Sequence, residues 1–221
     1  MAFADLDALV DTSGERVRLV GHETTATHAG VSALLVANEV KRGAEKGERA
    51  VVVCVEHSPS HYSALLNKLG VGEPDEKVTY VHVGHDVSSG SELLARVEEV
   101  LCEGVTLCVV DGMDLLEYGA GMDAKAVFDV FEAAYEWARE GEGEGRRVVV
   151  TGDRATGTTA FGLALLRADI TLAIAPLPTG YSRIAHGKIS VVTCLGLGGD
   201  DVFEIQFKAN DARSSFFIRG T

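Results

Sequence analysis

Hydrophobic positions alternate along the chain between short, nearly continuous apolar runs and longer stretches with helical spacing. Short apolar runs of this kind are typical of strands that helices cover on both faces of a sheet. Strands are expected at 17–20, 50–55, 78–83, 106–111, 147–152 and 170–175. Helices are expected between them, at 29–42, 59–69, 90–102, 122–139 and 159–167. The alternation predicts an α/β fold with a mainly parallel sheet and right-handed crossovers.

After residue 175 the pattern contains strands without helices. The segments 188–195, 201–208 and 214–220 are apolar runs joined by the short turns GLGGD and ANDAR. This spacing predicts a C-terminal antiparallel meander at the edge of the sheet. The glycine-rich run 141–147 is followed at once by a core strand, so it predicts a turn rather than a linker. We therefore expect one domain over residues 1–221, with two domains as the less favoured alternative.

Composition narrows the class of protein. The formal net charge of −13 argues against nucleic-acid binding over the whole surface, because counterion release requires clustered Lys and Arg, although a local basic patch stays open. No apolar run approaches the roughly 18 residues of a membrane span, and the acidic start MAFADLDALVD lacks a basic leader region. The four cysteines are widely spaced, as in reduced proteins. We expect no membrane association and a cytoplasmic location, with the nucleus as an alternative.

The stretch VRLVGHETTATHAG has the layout of a phosphate-binding loop, with an apolar strand, Gly21, a polar loop and a helix. In the pattern G-x-x-x-x-G-K-[ST], however, Ala26, Thr27 and His28 occupy the positions of the second glycine, the lysine and the hydroxyl. Without a lysine at position 27, no ammonium group bridges the β- and γ-phosphates. We interpret the segment as a degenerate nucleotide loop, with anion binding at the helix N-terminus as an alternative.

Two acidic residues stand at predicted strand ends. In a P-loop enzyme, Asp111 would orient Mg²⁺ and water, and Glu56 would polarise the water. The alternative for Asp111 is a cap on the turn that follows it. His57 and His61 are four residues apart, but the SPSH run predicts a helix that begins after His57. We therefore expect no metal site and no cofactor.

The loop 152–162 follows a strand end and carries Arg154. Ligands of doubly wound sheets bind at this edge, so Arg154 is a candidate phosphate contact, with a solvated surface loop as the alternative. No Ser/His/Asp arrangement or dinucleotide-binding G-x-G-x-x-G unit is present, so no active site of another enzyme class is indicated.

The order of these segments is similar to the core of RecA-type ATPases, and three motifs narrow the resemblance. SHYS-x4-KLGV lies within 57–71, TGYSR-x2-HGK within 176–192 and SFF-x-R-G within 207–220. In these relative positions they resemble the sixth subunit of the eukaryotic Elongator complex, and the similarity is spread over most of the chain.

The resemblance implies a RecA-like three-layer fold without the standard nucleotide-binding loop. It implies a six-membered ring with two copies each of this chain and of the fourth and fifth Elongator subunits. That ring joins the larger subunits, binds tRNA and supports modification of the wobble uridine, whose radical chemistry resides in another subunit. We therefore expect a non-catalytic accessory subunit rather than an enzyme.

Four residues are candidate contacts in such a ring. Arg154 and Arg183 are candidate tRNA contacts. Phe216 and Phe217 are neighbours on a terminal strand, so they point to opposite faces, one towards the core and one towards a subunit interface; the alternative is that both belong to the core. The competing interpretations are a free-standing ATPase of the RecA or circadian-clock type, and a binding module with loop 21–28 as an anion receptor.

Overall fold

The computed structural model describes residues 19–25, 29–101, 104–141, 145–178, 185–193, 201–210 and 213–217, with the backbone alone at 29, 75, 201–203, 209–210 and 213–217. The strands are β1 (Leu19–Thr24), β2 (Arg49–Cys54), β3 (Val78–His82), β4 (Val105–Asp111), β5 (Arg147–Gly152), β6 (Ile170–Pro176), β7 (Gly187–Thr193), β8 (Asp201–Asn210) and β9 (Arg213–Phe217). The helices are α1 (Ala29–Glu45), α2 (Pro59–Lys68), α3 (Pro74–Lys77), α4 (Gly90–Val100), α5 (Met113–Tyr118), α6 (Ala124–Glu140) and α7 (Thr159–Arg167).

Within the described residues the strands form one nine-stranded sheet, in the order β3-β2-β4-β5-β1-β6-β7-β8-β9. The pairs from β3 through to β6 are parallel. The pairs from β6 through to β9 are antiparallel. The predicted α/β fold, with a mainly parallel sheet and a C-terminal antiparallel section, is confirmed.

Helices cover both faces of the parallel part of the sheet. Because side chains alternate across a strand, Val52 of β2 faces one core and its neighbours Val51 and Val53 face the other. Helices α1 and α2 supply the first core, in which Tyr62 is the largest buried side chain. Helices α4 to α7 supply the second core, which contains Phe131. The result is a three-layer arrangement of helices, sheet and helices.

Strand β1 differs from the sequence prediction. It extends to Thr24, so Gly21 pairs with Val150 and Thr171 inside the sheet instead of opening a loop. A Cβ added at Gly21 would lie 2.5 Å from Leu165 Cδ2. The glycine therefore serves the packing of α7 on β1, and the predicted start of the degenerate loop at Gly21 is wrong.

The described cysteines agree with the expectation of reduced thiols. Cys54 and Cys108 are buried and unpaired. Burial raises the pKa of each thiol to about 12. Across the described ranges, no helix is both long enough and apolar enough to pass through a bilayer.

Replacing Gly187 with alanine is expected to destabilise the chain by about 2 kcal/mol. An added Cβ would lie 2.5 Å from Phe207 Cζ and 2.7 Å from the carbonyl oxygen of Ala175, and the backbone oxygen has little freedom to move. Urea unfolding followed by the fluorescence of the single tryptophan, Trp137, measures the change.

Gly162→Ala is the matched control, because an added Cβ there meets nothing within 4 Å. This variant is expected to be more stable than the parent by up to about 1 kcal/mol, since alanine favours a helix interior. Equal effects of the two substitutions would contradict the packing described for β7.

Candidate functional site

The carboxyl ends of four parallel strands bring polar side chains together at one edge of the sheet. His22 comes from β1, Asp111 from the end of β4 and Thr151 from β5. Glu56 and His57 follow β2, which is the neighbour of β4. Ligands of doubly wound α/β proteins bind at this edge, so these five residues are the candidate site.

Asp111 is the centre of the site and is only 1% exposed. Its Oδ2 accepts a hydrogen bond of 2.8 Å from the backbone N–H of His57. Its Oδ1 accepts a bond of 3.3 Å from the Thr151 hydroxyl, which itself accepts from the N–H of Gly112 at 2.8 Å. Asp111 thus joins the end of its own strand to the end of β2. The partners of the Asp111 side chain are therefore not in the turn that follows it, so the alternative of a turn cap does not account for these bonds.

The imidazole of His57 forms the second contact with this carboxylate. Nδ1 lies 3.1 Å from Oδ2 and 3.2 Å from Oδ1 of Asp111, and a carboxylate only accepts, so Nδ1 carries the proton. Burial lowers the pKa of His57, but the hydrogen bond to Asp111 and the charges of Asp111 and Glu56 outweigh burial and raise the pKa overall. The carboxylate of Asp111 therefore favours the protonated form of His57.

Glu56 lies between this pair and solvent. Burial raises its pKa, and the negative charges of Asp111, Asp114 and Asp153 raise it further, while His57 opposes them. Asp114 is itself buried, which raises its pKa. The potential around Glu56 is therefore dominated by carboxylates.

The turn after β4 is shaped by Gly112, which has a φ of 76°. An added Cβ would lie 2.8 Å from Glu56 Cβ and 3.0 Å from the backbone nitrogen of Glu56. The N–H groups of Val55 and Glu56 both donate to the carbonyl oxygen of Asp111, each at 3.2 Å. Only glycine permits this close approach with this backbone conformation, so Gly112 holds Glu56 and Asp111 together.

His22 lies beneath the site on β1 and is 2% exposed. Its Nδ1 is 2.9 Å from the hydroxyl oxygen of Ser32 on α1. Burial lowers the pKa of His22 to about 4, against the opposing charge of Asp111. The ring is therefore neutral near pH 7 and belongs to the packing between β1 and α1.

Helix α2 begins as the sequence predicts, directly beside the site. Ser58 is its N-cap, with Oγ accepting from the N–H of His61 at 3.3 Å, and Pro59 is at its first turn. Because the helix begins here, the ring of His61 lies against the ring of His57. The two rings are stacked, with 4.7 Å between their centroids. The ring of Tyr62 stands edge-on to His57 at 6.0 Å.

The structure brings together Glu56 and Asp111, two of the residues chosen from sequence, with His57 between them. Arg154 lies on a short 3-10 helix, Arg154–Thr156, where it is exposed and 3.6 Å from Glu23 Oε2. Other chosen residues lie outside the described parts of the chain. These are Ala26, Thr27, His28 and Arg183, and the side chains of Phe216 and Phe217.

The sequence did not identify the roles of His22, His57, Tyr62 and Thr151. A usable signal was present for His57, since a histidine directly after β2 and an acid ending β4 meet whenever these two strands are neighbours in parallel register. The contacts of His22 and Thr151 depend on which strands flank β1, which the hydrophobic pattern leaves open.

Comparison with known proteins identifies the fold but no family. No family model matches the chain, and no curated protein matches it. Among solved structures, a KaiC-like protein from the hyperthermophilic archaeon Pyrococcus horikoshii is similar, with a TM-score of 0.59 and 14% sequence identity. The similarity covers 91% of this chain and 89% of that chain. At this level of identity the likeness supports a RecA-like fold.

Proposed function

We propose that this chain is a non-catalytic RecA-like subunit of the Elongator complex. It forms a six-membered ring with the fourth and fifth subunits, and the ring joins the larger subunits, binds tRNA and supports modification of the wobble uridine. Two findings support the proposal: the three family motifs occur in order along the sequence, and the fold is RecA-like. In this ring, Arg154 and Arg183 are the candidate tRNA contacts, and Phe216 and Phe217 the candidate interface residues.

The contact between Asp111 and His57 is the observation that carries the non-catalytic part of the proposal. In a P-loop ATPase the acid at this strand end serves Mg²⁺ and water, and a lysine holds the outer phosphates. Here the carboxylate of Asp111 is bonded by the His57 backbone, the His57 ring and Thr151. The sequence has no lysine between residues 19 and 40, a range that contains the loop after β1 and the first turns of α1. The bonds to Asp111 thus serve the structure at the position where an ATPase uses this acid for Mg²⁺ and the attacking water.

The motifs of the proposed family coincide with described elements, and two of the three lie on the same part of the sheet. SHYS-x4-KLGV spans helix α2 and the turn after it, where Tyr62 and Leu66 are buried. Gly187 of the HGK sequence pairs with Phe207 of β8, and Phe207 pairs with Phe216 of the SFF sequence. The second and third motifs therefore extend onto β7 and β9, which lie on either side of β8.

Co-expression of this chain with the fourth and fifth Elongator subunits of the same organism tests the proposal. Native mass spectrometry of the affinity-purified assembly is expected to show two copies of each chain. Expression of the fourth and fifth subunits without this chain is the control and should yield no hexamer. Purification of a fourth–fifth complex from which this chain is absent, although it is soluble in the same cells, would overturn the assignment.

The second candidate function is a RecA-type or circadian-clock-type ATPase with a degenerate phosphate loop. The fold shared with the KaiC-like protein favours it, because that likeness extends over most of both chains. An ATPase requires Asp111 to be released from His57 and made available to Mg²⁺ and water. The two candidates therefore differ in what Asp111 does.

A further inference from the structure

We propose that Glu56, His57 and Asp111 form a binding site for a divalent transition-metal ion of the Zn²⁺ or Co²⁺ type, occupied without nucleotide. One ligand atom from each of the three residues lies within 4.8 Å of the others. Two residues come from the end of β2 and one from the end of β4, so the sheet itself fixes their spacing. The site does not depend on membership of the Elongator complex.

The distance between the two inner ligand atoms already suits such an ion. Metal–nitrogen and metal–oxygen bonds of about 2.0 Å place neighbouring tetrahedral ligands about 3.3 Å apart. Nδ1 of His57 and Oδ2 of Asp111 are 3.1 Å apart. Glu56 completes the set if its carboxylate moves inward by up to about 1.5 Å, which a side-chain rotation provides.

The chemistry of the ligands selects the type of ion. Binding requires Nδ1 of His57 to be without its proton, so the ring exchanges its hydrogen bond to Asp111 for the metal and acts as a neutral ligand. An imidazole with two carboxylates suits Zn²⁺ and Co²⁺, whereas Mg²⁺ prefers six oxygen ligands. The surrounding carboxylates of Asp114 and Asp153, which act on Glu56, favour a divalent cation at this place.

The hydroxyl of Tyr62 is an independent sign that a ligand belongs here. Tyr62 is 0% exposed, and among the described residues its hydroxyl oxygen has no hydrogen-bond partner at normal distance and angle. Burial, the charge of Asp111 and an interaction of the hydroxyl with the Asp111 carboxylate raise the pKa of Tyr62, so the hydroxyl is protonated and lies near this acid. A buried donor without an acceptor is costly and rare in native proteins. The deprotonated form of a water in the fourth coordination position would supply that acceptor.

The stacked ring of His61 acts as a positioning group for His57. The two rings lie 4.7 Å apart at an angle of 30°, which holds the imidazole of His57 with Nδ1 towards Asp111. Groups that orient a ligand in this way contribute to metal affinity without touching the metal. The site therefore has three ligands, an orienting ring and a hydroxyl for the bound water.

Titration of the chelator-stripped full-length chain with Co²⁺, followed by visible absorption, tests the proposal. One equivalent of Co²⁺ is expected to bind and to give the intensified absorption of a low-coordinate nitrogen and oxygen site. Zn²⁺ should displace it, and a large excess of Mg²⁺ should not. The variant His57→Gln is expected to bind Co²⁺ at least about 100-fold more weakly.

The matched control is His85→Gln. His85 is exposed, contacts Asp86 at 2.8 Å and stacks on His82, so it forms the competing surface cluster for Co²⁺. This control should leave the affinity unchanged. Absence of one-equivalent binding would overturn the proposal, as would a loss of binding in His85→Gln with none in His57→Gln.

Two further variants keep the test decisive if His57→Gln does not fold. Glu56→Gln retains the shape of a solvent-accessible side chain and should weaken Co²⁺ binding at least about tenfold. Tyr62→Phe should also weaken it about tenfold, while the metal-free chain keeps or gains resistance to urea, because an unpartnered hydroxyl has been removed. If Tyr62→Phe binds Co²⁺ as the parent does, the hydroxyl is not part of the site, and if Glu56→Gln does so as well, the proposal fails.

Discussion

Asp111→Ala is expected to lower the free energy of unfolding by about 3 kcal/mol. The substitution removes the acceptor of the His57 backbone N–H, the His57 ring and the Thr151 hydroxyl. It also leaves a cavity at a position that is 1% exposed. The His57 side chain is 14% exposed, so water can reach it, which keeps the cost at the lower end of the range for a broken buried pair. Urea unfolding followed by Trp137 fluorescence measures the loss.

Two variants give this experiment its controls. Asp129→Ala removes an exposed carboxylate that pairs with Lys125 on α6, and its effect should stay below about 0.5 kcal/mol. Asp111→Asn keeps one acceptor oxygen and should lie between the parent and Asp111→Ala. A fully stable Asp111→Ala chain would contradict the structural role assigned to this acid, because it would mean that the three donors do not need it.

Acidification is expected to reduce stability through His22 by about 3 kcal/mol. Burial lowers the pKa of His22 from 6.5 to about 4. Between these pH values the unfolded chain binds a proton on His22 and the folded chain does not, so stability falls as the pH falls. The contribution of His22 is fully present above pH 6.5 and is lost on the way to about pH 4.

Other groups of the site titrate in different directions, so the test is a difference between two chains. The pKa of Glu56 and of Asp114 is raised, which favours the folded state as these groups take up protons. His57, whose pKa is also raised, loses its contribution only as the pH rises above 6.5. The variant His22→Asn keeps an amide that can donate to or accept from the Ser32 hydroxyl, and it removes the titration of the imidazole.

The measurement is the free energy of unfolding of both chains in urea at several pH values. The parent is expected to be the more stable near pH 7, and its advantage should shrink by about 3 kcal/mol by pH 4. His85→Asn, at an exposed position, should follow the parent throughout. A stability difference between parent and His22→Asn that does not change with pH would show that His22 is accessible to protons in the folded state.

Much of the fold can be predicted from the sequence because the parallel strands correspond to continuous apolar runs. The run RVVVTG, for example, coincides with β5. Strand β1 was predicted too short, because Gly21 and His22 look like loop residues, whereas α7 and Ser32 bury them. Helix α5 was missed because its six residues are too few to show helical periodicity.

Part of the site was predicted from the sequence. The other residues were not predicted, and one physical reason explains this. Strand-end acids are visible in a sequence, so Glu56 and Asp111 were found. The contact between His57 and Asp111 joins residues 54 positions apart and depends on the register of β2 against β4. The burial of His22 and Tyr62 likewise depends on how α1 and α2 pack on the sheet. The residue types in a sequence indicate which chemistry is possible, whereas the topology of the sheet determines which residues come into contact.

Hydrolysis of ATP by the purified chain in the presence of Mg²⁺ tests most directly whether Asp111 has exchanged a catalytic role for a structural one. Turnover should be compared between the parent and Asp111→Asn, with folding of both verified by Trp137 fluorescence. The pairing of Asp111 with His57 and the absence of a lysine from residues 19–40 predict that the two chains are equally inactive. Mg²⁺-dependent turnover by the parent that disappears in Asp111→Asn would contradict this structure-based assignment.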